Sequence, residues 1–84
     1  MLPDKTYRAI CDEVIRLLRE GRQARGLSKY AMAKRAGLSE QMIGYVECGK
    51  RNPSLETIVR MAVALEVDVS ELIRRAFKTG SKSK

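Results

Sequence analysis

Two cysteines and seventeen cationic side chains are the chemically distinctive residues of this 84-residue sequence. Cys11 and Cys48 stand alone, without the paired spacing and four soft ligands of a zinc site. Histidine is absent, which removes the commonest general base, and no nucleophile–base pair or metal cluster can be assembled. The sequence therefore reads as non-enzymatic, with no cofactor and no small-molecule ligand expected. What remains is charge. Seventeen Lys and Arg face ten acids, a formal net charge of +7, and a balance of that kind suits a polyanion, either nucleic acid or an anionic membrane surface. The charge is unevenly spread. Between Arg22 and Arg51 lie seven bases (Arg22, Arg25, Lys29, Lys34, Arg35, Lys50, Arg51) and two acids (Glu40, Glu47), so this window holds most of the excess.

Size limits what can position these groups. A chain this short is one domain and buries only about 60–65% of its unfolded surface, which favours a compact helical bundle over a deep cleft. No apolar run approaches the ~18 residues of a membrane span, and Met1 to Lys5 lack an apolar signal core. Two reduced thiols fit a reducing compartment, so the expected location is the cytoplasm, at the nucleoid, with no membrane partner. No internal repeat is visible.

Apolar positions recur at helical spacing. Pro3-Asp4 can open a first helix, with Ile10, Val14, Leu17 and Leu18 on one face, running from about residues 4–6 to 25. Gly21 weakens the pattern and Gly26 stops it. Ser28 caps a second helix carrying Ala31, Met32, Ala33 and Ala36, ended by Gly37. Leu38 turns inward. Ser39 caps a third helix whose buried side is Ile43 and Val46, closed by Gly49. Ser54, after Pro53, caps a fourth helix with Leu55, Ile58, Met61, Ala62 and Leu65 on its apolar face. Asp68 and Glu71 have the spacing of a capping box before a fifth helix with Val69, Leu72, Ile73 and Phe77. The tail, residues 79–84, is expected to be disordered, leaving 1–78 as the domain. Two short helices joined by Gly37-Leu38-Ser39 have the form of a helix-turn-helix over residues 28–48; an ordinary helical hairpin is the other reading of the same pattern.

The residues carry a wider likeness. Arg25-Gly26-Leu27-Ser28, Ala33, Ala36-Gly37-Leu38-Ser39, Ile43, Glu47, Gly49 through Thr57, Ala62, Ala64-Leu65, Val67 and Glu71-Leu72 resemble the phage-repressor (XRE/Cro-like) helix-turn-helix family over about residues 13–73. The resemblance implies an all-α, compact five-helix domain of the lambda-repressor-like type, with helices 2 and 3 forming the helix-turn-helix. It implies a sequence-specific regulator of transcription whose partner is double-stranded DNA. Carried over by position, Glu40, Gln41, Met42, Gly44 and Tyr45 face base edges. Ser28 and Lys29, at a helix N-terminus, and Lys50, Arg51 and Asn52 hold phosphates. Glu47 pairs with Arg22. Gln41 can pair with adenine and Glu40 can accept from cytosine, although Glu40 could instead cap its own helix. Gly44 departs from the small hydroxyl residue usual there, either admitting close approach of DNA or as a tolerated substitution.

The apolar side of the fifth helix, Leu72, Ile73 and Phe77, exceeds what one small domain needs and is expected to form a homodimer interface, with a palindromic operator following from the two-fold axis; closure of the monomer core is the other reading of these residues. Length and architecture are similar to those of restriction-modification controller proteins, which implies autoregulation. A protein-binding antitoxin or adaptor with the same fold is the alternative.

Overall fold

The computed structural model of the chain describes residues 4–80. Five helices follow one another: α1 (Asp4–Ala24), α2 (Lys29–Ala36), α3 (Glu40–Glu47), α4 (Leu55–Ala64) and α5 (Val69–Gly80). No strand occurs among the described residues. This is the all-α, five-helix architecture expected from the apolar spacing. Pro3 and residues 81–84 lie outside the described part.

The stripe Ile10, Val14, Leu17 and Leu18 on α1 is buried throughout. Met32, Ala33 and Ala36 of α2, and Ile43 and Val46 of α3, close over it together with Met61, Ala62 and Leu65. The largest side chains sealed completely are Leu18, Met32, Ile43, Val46, Met61 and Leu65. Helices of eight residues such as α2 and α3 do not persist alone in water; this shared core is what holds them.

Serine sets the start of three helices in turn. Ser28, Ser39 and Ser54 each have extended backbone and accept, through Oγ, the amide three residues on: Ala31, Met42 and Thr57, at 3.0, 3.0 and 3.1 Å. Between α2 and α3 the chain reverses at Gly37, whose φ of 70° is the left-handed conformation that a Cβ disfavours. A Cβ there would also stand 2.8 Å from Arg60 Nη1. Arg60 occupies that space because its Nη1 donates to the Ala36 carbonyl at 3.2 Å, so α4 holds the C-terminal end of α2 directly.

Four expectations are corrected. On α5 the covered stripe is Leu72, Ala76 and Gly80, with Val69 half-buried, so Leu72 belongs to the protomer's own core and only Ile73 and Phe77 are exposed. On α4, Ile58, Met61 and Ala62, with Leu65 just beyond, are buried as expected, but Leu55 is 74% exposed and forms with Val59 and Val63 an outward apolar row. Thr79 and Gly80 continue α5 rather than beginning a tail. Gly80 is buried where a Cβ would meet the Ile10 backbone at 3.0 Å, so the last turn of α5 lies directly on α1. Finally, Asp68 and Glu71 form no capping box. Asp68 Oδ1 accepts from the Ser70 amide and hydroxyl at 2.9 and 2.7 Å, while Glu71 pairs with Arg74.

One residue holds a costly conformation. Glu66, which follows α4, has φ 60°, the left-handed region that disfavours side chains with a Cβ. Its side chain is exposed. Glu66→Gly is expected to raise stability by about 0.5–1 kcal/mol, the strain relieved less the added freedom of the unfolded chain, as read from urea-unfolding midpoints. An unchanged or lower midpoint contradicts this.

Candidate nucleic-acid interface

The arrangement is built outward from one buried ion pair. Arg22, on the last turn of α1, meets Glu47, the last residue of α3, in a bidentate contact: Nε to Oε2 at 2.6 Å and Nη2 to Oε1 at 2.9 Å. The remaining Arg22 nitrogen, Nη1, donates to the Leu27 carbonyl at 2.8 Å, and Arg19 Nη1 donates to the Glu47 carbonyl at 3.0 Å. Both side chains are nearly inaccessible, 11% and 4% exposed, and no buried side-chain nitrogen or oxygen lacks a partner among the described residues. The hydrogen bonds to Glu47 hold the Arg22 guanidinium above its ordinary pKa, against a burial effect of opposite sign. Three elements are pinned at one point: α1, the Leu27 turn and the end of α3. The sequence reading missed Arg19, although it lies on α1 one turn before Arg22.

With Ile43, Val46 and Glu47 turned inward, α3 presents Glu40 and Gln41 to solvent, with Gly44 and Tyr45 half-exposed beside them. These four residues, with Lys29 from α2 and Lys50 from the following loop, line a shallow concavity. Its lining comes mainly from the outer face of α3, joined by the two lysines. Cys48, read from sequence only as an isolated thiol, is exposed in the same hollow. The Gln41 amide nitrogen donates to the Tyr45 hydroxyl at 2.8 Å, and the Arg51 guanidinium lies 5.3 Å from the centre of the Tyr45 ring.

Not every expected residue lies there. Met42 is half-buried against the core, and its amide is held by Ser39, which sets it apart from the outward face. Asn52 is exposed but lines a different, more apolar cleft, with Tyr7, Pro53, Leu55 and Ile73. Ser28 is exposed as the cap of α2. Because Ser39 caps α3, the Glu40 carboxylate is left exposed in the first turn, where it complements the helix dipole. At Gly44 a Cβ would find no atom within 4 Å, so its small size answers no constraint inside the protomer. No group of three or more potential metal ligands occurs among the described residues, and no helix there is long and apolar enough to cross a membrane.

Two short capped helices, a three-residue turn and an exposed second helix flanked by lysines define a helix-turn-helix unit. Residues 18–72 match the Helix-turn-helix family, and the chain belongs to it. A relative from Sinorhizobium fredii, the uncharacterized HTH-type transcriptional regulator y4dJ, is 36% identical over 52 residues, which is 62% of this chain and 68% of the relative. The crystal structure of the restriction-modification controller protein C.AhdI from Aeromonas hydrophila is similar, with a TM-score of 0.68 at 40% identity. That match covers 75% of this chain and 94% of the other. The protein is a helix-turn-helix transcriptional regulator of the XRE type.

Two outcomes follow from this geometry. Arg22→Met and Glu47→Leu, made singly, are each expected to lose about 3–5 kcal/mol, because either leaves a buried charge uncompensated, whereas the double variant recovers most of the loss. Additive losses in the double-mutant cycle contradict the pairing. Gly44→Ala is expected to stabilise the free protein by about 0.5–1 kcal/mol, as alanine does in a helix, and to weaken duplex binding if the outer face of α3 meets DNA closely. Unchanged duplex affinity would reject close approach at Gly44.

Proposed function

We propose that the protein binds a palindromic operator as a homodimer, each protomer placing α3 in the major groove of one half-site, and that it regulates its own expression. The observation that carries this reading is that Lys29 from α2 and Lys50 from the following loop line one concavity together with Glu40, Gln41, Gly44 and Tyr45 of α3. The Glu40 and Gln41 side chains can address base edges, while the ammonium groups meet the phosphate backbones that border a groove. Arg51 adds a third cation and Ser28 a hydroxyl at the N-terminus of α2, where helix amides favour an anion. Asn52 reaches phosphate only if the backbone passes over the outer side of its loop. Similarity to a restriction-modification controller protein supports autoregulation in such a setting.

For the dimer, the supporting feature is the outward row Leu55, Val59 and Val63, spaced four residues apart along α4, with Ile73 and Phe77 exposed on α5. Leu55 and Ile73 line one cleft, so the two exposed sets adjoin. A contiguous apolar patch on a small protein is a usual mark of an interface. The row begins directly after the basic loop, and to reach successive major grooves a dimer formed through it must set the two copies of α3 about 34 Å apart, one turn of duplex.

The deciding experiment is duplex binding as a function of salt and of dimer state. Three phosphate-binding cations per protomer (Lys29, Lys50, Arg51) give about six per dimer, so log K is expected to fall against log salt with a slope of about −5. Lys50→Ala should make the slope shallower by about 2, one contact per protomer. Val63→Asp is expected to yield a folded monomer by sedimentation and to lower operator affinity at least tenfold. A monomeric wild type at micromolar concentration contradicts the dimer, and salt-independent binding contradicts the phosphate contacts.

A further inference from the structure

We infer that Tyr45 and Arg51 act on sequence recognition through Gln41, presetting its amide as a reader of adenine. The inference rests on the DNA-reading role proposed above and assigns Tyr45 and Arg51 as positioning residues for it.

The three side chains form one chain of contacts. Gln41 and Tyr45 are one turn apart on the outer face of α3, linked from Gln41 Nε2 to the Tyr45 hydroxyl at 2.8 Å. Arg51 covers the Tyr45 ring from the loop. That loop is tied to the same helical turn, since the Lys50 amide donates to the Tyr45 carbonyl at 2.9 Å. Tyr45 is thus held between its own helix and a loop cation.

Hydrogen-bond direction gives this arrangement its consequence. A phenol both donates and accepts, so alone it would tolerate either orientation of the Gln41 amide. A phosphate oxygen only accepts. With the Arg51 guanidinium against its ring and Lys50 lining the same concavity, Tyr45 lies where a backbone phosphate is drawn, and a phosphate meeting its hydroxyl takes the phenol proton as its hydrogen-bond donor. The phenol oxygen must then accept, and Gln41 must turn its amide nitrogen toward it, as it does in the free protein. One N–H and the carbonyl oxygen of Gln41 are left for the groove. That donor–acceptor pair complements N7 and the N6 amino group of adenine. The phosphate contact fixes which way round the amide reads, while the hydrogen bond to Tyr45 already restrains the Gln41 side chain before binding and so reduces the ordering cost.

The test begins by selecting the preferred duplex of the wild-type protein from a randomised library, then measuring binding to that duplex and to its single-base substitutions. Gln41→Ala identifies the base pair read by Gln41, expected to be A·T. Tyr45→Phe keeps the ring and its contact with Arg51 and removes only the hydroxyl. It is expected to reduce discrimination at that base pair about 5- to 10-fold, within the range that one bidentate contact supplies, with the salt slope unchanged because no cation is lost. Gln41→Glu, which cannot donate to the phenol, is expected to lose the adenine preference altogether. Arg51→Ala should both relax the preference and reduce the salt slope. Thermal unfolding of each variant separates these effects from loss of fold. Full discrimination in Tyr45→Phe, or a Gln41 position that is not A·T, overturns the inference while leaving duplex binding intact. Wild-type protein that binds no duplex overturns it together with the proposed function.

Discussion

The bidentate contact between Arg22 and Glu47 is the constraint on which the rest of the molecule depends. It joins the end of α1 to the end of α3, and through the Leu27 carbonyl it also fixes the strand of chain entering α2. Hydrophobic packing alone would hold α3 against the core through Ile43 and Val46, but two apolar contacts leave some freedom of rotation about the helix axis. A planar guanidinium meeting a carboxylate in two parallel hydrogen bonds does not. The rotational setting of α3 decides whether Gln41 and Tyr45 or Met42 and Val46 face outward. Paired ions in a dry interior contribute little net stability because of their desolvation. Here they contribute orientation.

Much of the fold was legible because local signals agreed with the global one. Three serines at helix starts, glycines at positions 26, 37 and 49, and the stripe from Ile10 to Leu18 each predict what the chain does. The errors fall where two apolar faces compete. On α4, Leu55, Ile58, Val59, Met61, Ala62, Val63 and Leu65 leave little polar surface, so spacing identifies a helix without identifying its inner side. The choice of Ile58 over Leu55 is made by α1 and α2, which the local pattern does not contain. On α5 the same ambiguity placed Leu72 with Ile73 and Phe77. Small residues carry more of the packing than spacing suggests: Ala76 and Gly80 are two of the three covered residues of the stripe, and Gly80 lies against the α1 backbone.

The outward face was legible in outline and opaque in detail. Gln41 and Tyr45 have the spacing of helical neighbours, and the basic loop is plain in the sequence. Nothing in the order of residues places Arg51 over the Tyr45 ring, because that contact depends on how the chain leaves α3 after Gly49. Nor does spacing show that Met42 leans inward while Asn52 lies on the other side of its loop. Cap assignment is similar. Asp68 and Glu71 have the required separation, but Glu71 has Arg74 one turn ahead of it, and the local ion pair takes the carboxylate that a capping box would use.

The contact from Arg60 to the end of α2 reaches further than the turn it secures. Arg60 belongs to α4, the helix whose outer row of Leu55, Val59 and Val63 is the proposed seat of the second protomer. Its guanidinium grips the carbonyl of Ala36 over a glycine that leaves no room for anything else. The element that would fix the two-fold axis and the element that would grip the backbone are thereby clamped to each other with no linker between them. A dimer assembled this way behaves as a calliper with a locked joint rather than as two reading heads on a tether. One base pair inserted between half-sites moves them by about 3.4 Å and about a tenth of a turn. With α2 and α4 clamped in this way, such a dimer would have little freedom to absorb that change, and the spacing of an operator's halves would become part of its sequence.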